Sequence, residues 1–62
     1  MTDYGKKIKI AVINKDKTQG WLINEVAHRT GLYFDTSYLN KIMNGKNSNP
    51  KIVSAINEIL GI

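Results

Sequence analysis

The chain has 62 residues, enough for one small domain, and a chain of this length buries only about 60% of its unfolded surface. Such a core leaves little room for a large substrate cavity, which counts against an enzyme, and the absence of cysteine excludes disulfides and thiolate metal sites. Nine basic residues against five acidic ones give a net charge of +4, which favours a polyanionic partner, nucleic acid before a membrane surface.

Hydrophobic spacing predicts a first helix that runs from Asp3, a possible N-cap, to Asn14. Its apolar face comprises Tyr4, Ile8, Ala11 and Val12. Its other faces, and the residue that follows it, carry the lysines Lys6, Lys7, Lys9 and Lys15. The stretch KIKIAV alternates as a strand would, but a lone strand would have no partner in this chain. We therefore predict a helix here.

The second predicted helix begins after Thr18, whose hydroxyl can accept a hydrogen bond from the free N–H groups of the first turn. It ends before Gly31, because glycine suits the left-handed conformation of a helix C-cap. One stripe of this helix comprises Leu22, Val26 and Arg29, widened by Ile23 and Ala27.

The third predicted helix begins at Asp35, another good N-cap, spans about residues 35–44 and stops at Gly45. Its apolar residues are Leu39, Ile42 and Met43. The fourth helix opens with Pro50 in its first turn, where a missing N–H has no cost, and Gly61 closes it. The sequence therefore predicts an all-α fold, a compact bundle of four short helices in a single domain of residues 1–62.

Three segments in order carry a family resemblance. VAHRTGL reads apolar-Ala-x-x-x-Gly-apolar, LNKIMNGK reads apolar-x-x-Ile-x-x-Gly-Lys, and INEILGI reads Ile-x-x-x-Leu-Gly-apolar. Over residues 18–62 the chain resembles the Cro/repressor-type (lambda repressor-like, XRE) helix-turn-helix DNA-binding proteins of phage and bacteria. In that family a small alanine lets the third helix approach, a glycine permits the turn, and two apolar residues anchor the third helix. The residues in these positions are Ala27, Gly31, Leu39 and Ile42.

The resemblance implies that the third helix lies in the major groove of double-stranded DNA with its first residues at the base edges. The residues in groove-facing positions are Thr36, Ser37, Tyr38, Asn40 and Lys41. Asparagine can bond adenine at two positions, lysine reaches guanine, and serine or threonine adapts to either. Between Gly31 and Leu39 this chain has two residues more than the common family spacing.

Phosphate contacts are expected from the segments that flank the third helix. The start of the second helix offers free N–H groups and a positive dipole end, and residues 46–49 form a polar loop before the fourth helix. The candidates are Lys17, Thr18, Gln19, Asn44, Lys46, Asn47 and Lys51. For each lysine the alternative is a solvated surface charge.

The connector between the second and third helices contains the sequence LYFD. We predict that Leu32 and one of Tyr33 or Phe34 fill the corner between the two helices; the alternative is a ligand-stacking role for the aromatic rings. Asp35 is predicted to cap the third helix rather than to act in catalysis. Trp21 is predicted to cover the core rather than to stack on a ligand.

Apolar residues occupy more of the fourth helix and its end than one core-facing stripe needs. They are Ile52, Val53, Ala55, Ile56, Ile59, Leu60 and Ile62. We predict that Ile59 and Ile62 stay uncovered and that the fourth helix and the C-terminus form the seam of a homodimer on DNA. The alternative is that both residues fold back onto Tyr4 and Ile8 and close a monomeric core.

Other chemistry is not indicated. His28, the one histidine, has no acid at ligand spacing, so we predict no metal, and equally no cofactor, small-molecule substrate or enzymatic activity. No apolar stretch approaches the roughly 20 residues that cross a bilayer, and the start MTDYGKKIKI lacks a signal-peptide pattern. These patterns predict a cytoplasmic protein without membrane contact.

Two functions remain as hypotheses. The first is a sequence-specific DNA-binding protein, a small phage or mobile-element repressor. The second is a protein-interaction module, such as a phage-encoded inhibitor or an antitoxin-like subunit, because the same fold serves different functions. DNA binding requires a basic surface on one face with the third helix, whereas scattered lysines would favour a protein partner. The lysines that decide this are Lys17, Lys41, Lys46 and Lys51.

Overall fold

Four α-helices make up the regular structure of residues 1–62, all of which are described by the computed structural model. They are α1 (Asp3–Asn14), α2 (Gln19–Thr30), α3 (Thr36–Met43) and α4 (Pro50–Leu60). No strand is present, so KIKIAV is helical as predicted, and the all-α fold class is confirmed. No helix has the combination of length and hydrophobicity that would let it cross a bilayer.

Side-chain caps determine where α2 and α3 begin. The Thr18 hydroxyl accepts a hydrogen bond of 3.1 Å from the N–H of Trp21, and the Asp35 carboxylate accepts one of 2.8 Å from the N–H of Tyr38. Each bond occupies an N–H group that the helix itself leaves without a partner. Both caps confirm the sequence prediction.

The N-cap of α1 is Thr2, so the prediction that Asp3 caps this helix is wrong. The Thr2 hydroxyl accepts a hydrogen bond of 3.1 Å from the N–H of Gly5, and Asp3 is the first residue inside the helix. Asp3 still favours the helix, because a negative charge in the first turn interacts with the positive end of the helix dipole.

Gly31 ends α2 in a left-handed conformation. Its φ angle is +68°, and its N–H donates a hydrogen bond of 2.9 Å to the carbonyl oxygen of Ala27. A Cβ atom makes this conformation unfavourable, which is why glycine is suited to it. The chain then leaves the α2 axis through residues 31–35 and enters α3, which ends at Met43, one residue before the end of the predicted span.

One side of each helix faces a single core, and the most extensive contact between helices is that of α2 with α4. The buried cluster comprises Ile8, Val12, Leu22, Val26, Phe34, Leu39, Ile42, Met43, Ile52, Ala55, Ile56, Ile59 and Leu60. Half-buried side chains at its edge include Tyr4, Ala11, Trp21, Ile23, Ala27, Tyr38 and Val53. Arg29, on the predicted stripe of α2, is instead exposed and lies 3.9 Å from the carboxylate of Glu25.

The start of α1 is fastened to the end of α3. The carbonyl oxygen of Met43 accepts two hydrogen bonds from Thr2, one of 3.1 Å from the N–H and one of 2.8 Å from the hydroxyl. The two helices approach so closely that a Cβ atom on Gly5 would overlap the Met43 carbonyl oxygen. Glycine at this position therefore permits the contact between α1 and α3.

Ile59 is buried, which contradicts the prediction that it stays uncovered. The reason is that this end of α4 packs on α1, where the Tyr4 hydroxyl donates a hydrogen bond of 2.6 Å to Oδ1 of Asn57. Burial raises the pKa of that Tyr4 hydroxyl. Ile62, by contrast, remains 45% exposed beside α1, as predicted for this residue.

Candidate nucleic-acid interface

α3 presents two different faces. Leu39, Ile42 and Met43 are buried in the core, as predicted from their spacing. The opposite face is solvent-exposed and polar, and it comprises Thr36, Ser37, Asn40, Lys41 and Asn44. These five residues include no carboxylate and have several hydrogen-bond donors, so they suit contact with an acceptor-rich, anionic surface; the one carboxylate beside them is that of the N-cap, Asp35.

Tyr38 belongs to both faces. Its side chain is half-buried at the edge of the core, and its ring centroid lies 5.0 Å from that of Phe34, with 52° between the ring planes. This tilted arrangement is a favourable one for two aromatic rings. Tyr38 therefore fixes α3 to the connector, and only part of its side chain is free to contact a ligand.

The connector of residues 31–35 shows which aromatic residue fills the corner between α2 and α3. Phe34 is buried and occupies the corner, whereas Tyr33 is 78% exposed. Leu32 is 38% exposed, so the prediction that it also fills the corner is wrong. Phe34 and its neighbour Tyr38 supply the apolar volume that Leu32 was expected to provide.

The exposed Tyr33 ring is held in place by Asp35. The Tyr33 hydroxyl donates a hydrogen bond of 2.7 Å to Oδ2 of Asp35, whose Oδ1 caps α3. The bond with Tyr33, and after it the bond with the N–H of Tyr38, lowers the pKa of the Asp35 carboxyl. The same hydrogen bond to the carboxylate raises the pKa of Tyr33. Asp35 thus caps the helix and orients an aromatic ring at its start.

A groove of about 250 Å³ runs along the exposed side of α3. It is lined by Tyr33, Asp35, Ser37, Tyr38, Lys41 and Asn47. The structure therefore brings three predicted base-contact residues together with one predicted phosphate-contact residue from the loop. Tyr33 was not predicted from the sequence as a contact residue. The signal for it is its position two residues before the N-cap Asp35, from which its hydroxyl can reach the Asp35 carboxylate.

The segment after α3 holds several of the predicted phosphate contacts. The N–H of Lys46 donates a hydrogen bond of 2.8 Å to the carbonyl oxygen of Lys41, so the two lysines flank the end of α3. The side-chain amide of Asn44 donates to the carbonyl of Asn40 at 2.9 Å. The Asn47 side chain accepts from the N–H of residue 49 at 3.0 Å, which shapes the loop before α4.

The remaining predicted phosphate contacts lie away from this groove. The Lys17 ammonium lies 5.6 Å from the centre of the Trp21 ring, the Thr18 oxygen caps α2, and Gln19 is half-buried. Lys51 lines a different groove, between the end of α2 and the start of α4, together with Arg29. No groove is lined by residues of both α3 and the start of α2.

The basic residues are not concentrated on α3. Five of the nine lie between residues 6 and 17, on α1 and the segment that follows it, namely Lys6, Lys7, Lys9, Lys15 and Lys17. Three more, Lys41, Lys46 and Lys51, lie between α3 and the first turn of α4. The charge is thus divided between two parts of the molecule.

No group of three or more histidine, cysteine or acidic side chains is placed to hold a metal ion, and His28 is exposed. Comparison with known protein families, with curated proteins and with solved structures finds no match to this chain. The residues of the groove and of the faces around it are therefore the features of this protein that bear on its function.

Proposed function

We propose that this chain is a sequence-specific double-stranded DNA-binding protein, a small phage or mobile-element repressor that reads the major groove with α3. The observation that carries this proposal is the contrast between the two faces of α3. Leu39, Ile42 and Met43 anchor the helix in the core, and the opposite face offers uncharged polar side chains and a lysine, with the Asp35 carboxylate confined to the N-cap. On this proposal α2, residues 31–35 and α3 act as a helix-turn-helix, and the protein acts in the cytoplasm.

Each side chain of the exposed face has a role in this proposal. Asn40 donates to and accepts from adenine, Lys41 donates to guanine, and Ser37 adapts to either base, because these pairings match the edges of the major groove. Tyr33 extends the reading face, since its ring is exposed and oriented by Asp35 at the start of α3.

Phosphate contacts would position α3 without reading sequence. Lys46, at the end of α3, and Lys17, at the start of α2, are both exposed and carry the positive charge that such contacts need. The first turn of α2 adds free N–H groups and the positive end of a helix dipole. These groups supply most of the affinity for any duplex.

A protein-interaction module is the second candidate function, and the distribution of charge favours it. Five of the nine basic residues lie on α1 and the segment after it rather than on α3. Lys51 also lies in a groove separate from that of α3. Positive charge that is distributed over two parts of the molecule suits a protein that contacts more than one partner surface.

Selection from a random duplex DNA library at a stated salt concentration of about 0.1 M tests the proposal, since salt governs the non-specific background. We expect enrichment of one short motif by the wild-type protein and loss of that motif with a Ser37→Ala/Asn40→Ala double variant. Recovery of no motif, or of the same motif by both proteins, would refute base reading by α3.

The homodimer stays a prediction that the same selection addresses. Two copies related by a two-fold axis select an inverted repeat with half-site centres about 34–36 Å apart, whereas one copy selects a single short site. Of the two residues predicted to lie uncovered at the seam, Ile59 is buried and only Ile62 is exposed. Sedimentation of the complex on the selected site gives its stoichiometry.

A further inference from the structure

A second exposed surface lies on α1, opposite its core-facing side. Ile8 and Val12 are buried, whereas Ile10 and Ile13 are 58% and 62% exposed. Ile62 lies beside the same helix, and with Ile10 and Ile13 it forms a set that we call the isoleucine patch. Scattered apolar residues on a surface are ordinary, but a group of large exposed ones marks an interaction site.

The isoleucine patch is partly concave. Ile62 and α1 border a groove of about 380 Å³, lined by Lys7, Ile10, Ala11, Asn14 and Ile62. Ile13 follows Ile10 by three residues and is therefore its neighbour on the helix surface. A groove next to a ridge of two isoleucines can accept apolar side chains from a partner that lies along α1.

Lysines surround the patch. Lys7 lines the groove, Lys6 precedes Ile10 by four residues, and Lys9 precedes Ile13 by four residues, so each is adjacent to the apolar surface. All three are exposed, and the single ion pair of the structure joins Arg29 and Glu25 elsewhere. These three positive charges are unpaired within the protein.

We propose that the isoleucine patch and its three lysines form a docking surface for an amphipathic helix of a partner protein with acidic residues beside its apolar stripe. Each isoleucine that the partner covers contributes favourable burial of apolar area. Carboxylates on the partner would meet the lysines, which aligns the two helices and raises the rate of association. This is the helix-in-groove mode of recognition, and it does not depend on DNA binding by α3.

Charge and shape favour this occupant over three others. A second copy docked through the same face would bring lysines against lysines, which is unfavourable. Nucleic acid would pair with the lysines but leave the isoleucines exposed to water. A helix that binds a membrane surface must expose a wide apolar face. The wider of the two apolar faces of α1 is buried in the core.

The test uses the intact chain and a synthetic helical peptide of about 18 residues with a leucine stripe flanked by glutamates. A control peptide has lysine in place of every glutamate. Isoleucine methyl NMR during titration should show shifts for Ile10, Ile13 and Ile62, and the control peptide should bind at least about tenfold more weakly.

Ile10→Ser/Ile13→Ser should weaken binding of the acidic peptide at least about tenfold, because two apolar contacts are lost. Leu32→Ser, at an exposed leucine outside the patch, should leave it unchanged.

Circular dichroism shows whether the serine variants keep the native helices, which is expected because both isoleucines are exposed. Retention of the motif selected by α3 in the Ile10→Ser/Ile13→Ser variant would separate this surface from the DNA-binding one. Equal binding of both peptides, or methyl shifts outside the patch, would overturn the proposal. Self-association that is seen in sedimentation and abolished by Ile13→Ser would also overturn the proposal. Binding to phosphatidylserine vesicles without binding to the acidic peptide would do the same.

Discussion

Ser37, Asn40 and Lys41 occupy the exposed face of α3, and no hydrogen bond within the protein uses their side chains. Their donors and acceptors therefore face water and can exchange water for a ligand with little internal rearrangement. By contrast, the side chains of Asp35 and Asn44 already form hydrogen bonds within the protein. The side chains that are free to contact a ligand are thus distinct from those that build the helix ends.

Replacing Asn40 with alanine removes a side chain that can bond adenine at two positions. We expect Asn40→Ala to lower affinity for the selected site by about 1–3 kcal/mol and to relax preference at one base pair. Fluorescence anisotropy with matched and single-mismatch duplexes measures both effects. Asn24→Ala, at an exposed asparagine of α2, is the matched control and should leave affinity unchanged. Equal losses on all sequences would show that Asn40 reads no base.

Asp35 makes the stability of α3 depend on pH. Its pKa in the folded protein is lowered, chiefly by the Tyr33 hydrogen bond and then by the Tyr38 N–H, from the ordinary value of 3.8. A depressed folded pKa stabilises the protein above 3.8, and this contribution is lost as the pH falls through the folded value.

Asparagine also caps helices but carries no charge, so Asp35→Asn isolates the effect of the carboxylate. We expect wild type to have the higher Tm at neutral pH and the difference to shrink as the pH falls below 3.8. Thermal melts followed by circular dichroism at several pH values measure it. Glu58→Gln, at an exposed carboxyl outside the hydrogen-bond network, controls for net charge. A difference in Tm that does not vary with pH would contradict the role of the charge.

The position of α3 depends on both of its ends. Its first turn is capped by Asp35, and the carbonyl of its last residue, Met43, accepts two hydrogen bonds from Thr2. Leu39 and Ile42 anchor the middle in the core. An eight-residue helix is marginal in isolation, so these tertiary contacts hold its exposed face in one orientation.

Gly5 and Gly20 offer a matched pair of tests, because both lie inside helices. A Cβ atom at position 5 would overlap the Met43 backbone, whereas at position 20 it would lie 3.6 Å from the Thr18 hydroxyl oxygen, an ordinary contact. We expect Gly5→Ala to destabilise the protein by about 1–3 kcal/mol through overpacking. Gly20→Ala should stabilise it by about 0.4–1 kcal/mol. Urea unfolding measures both, and a Gly5→Ala protein as stable as wild type would refute the close contact.

Local chemistry made the helices predictable from sequence. The caps Thr18 and Asp35, the Pro50 start and the Gly31 end each act within a few residues, so the printed sequence contains the whole signal. The contact of Thr2 with Met43 spans 41 positions and depends on how α1 crosses α3, which no local pattern encodes.

Burial at the helix corners was predictable only in part. Sequence spacing identified Leu39 and Ile42 as core residues, but it did not separate Leu32 from Phe34 in the connector or show that Ile59 is covered. These outcomes depend on which neighbouring helix supplies a surface, here α1 for the end of α4. For the same reason the sequence did not group Tyr33 with Ser37 and Lys41.

Two separate surfaces of the molecule are proposed to bind partners. One is the polar face of α3 with its groove, and the other is the isoleucine patch with its lysines; no residue lines both grooves. Positive charge is present near each, so net charge alone does not identify which surface meets a polyanion. That distinction can be made by measuring how the substitution of each single lysine changes the salt dependence of binding.

Lysines that contact phosphate change the salt dependence of binding to every duplex. We expect Lys46→Ala and Lys17→Ala each to weaken binding to all sequences alike and to reduce the slope of log K against log salt by about one unit. Lys9→Ala, which removes the same charge from α1, should leave the slope unchanged. If all three variants reduce the slope equally, the charge acts as a diffuse field and these two lysines have no special contact.

The position of Lys17 over Trp21 gives the molecule its own optical reporter. Trp21 is the one tryptophan in the chain, and the Lys17 ammonium lies 5.6 Å from its ring centre at the start of α2. Indole emission responds to the charge and solvent next to the ring. If Lys17 leaves the ring to contact a phosphate, the emission of the unlabelled protein should change on DNA binding, and Lys17→Ala should abolish that change while Lys46→Ala keeps it.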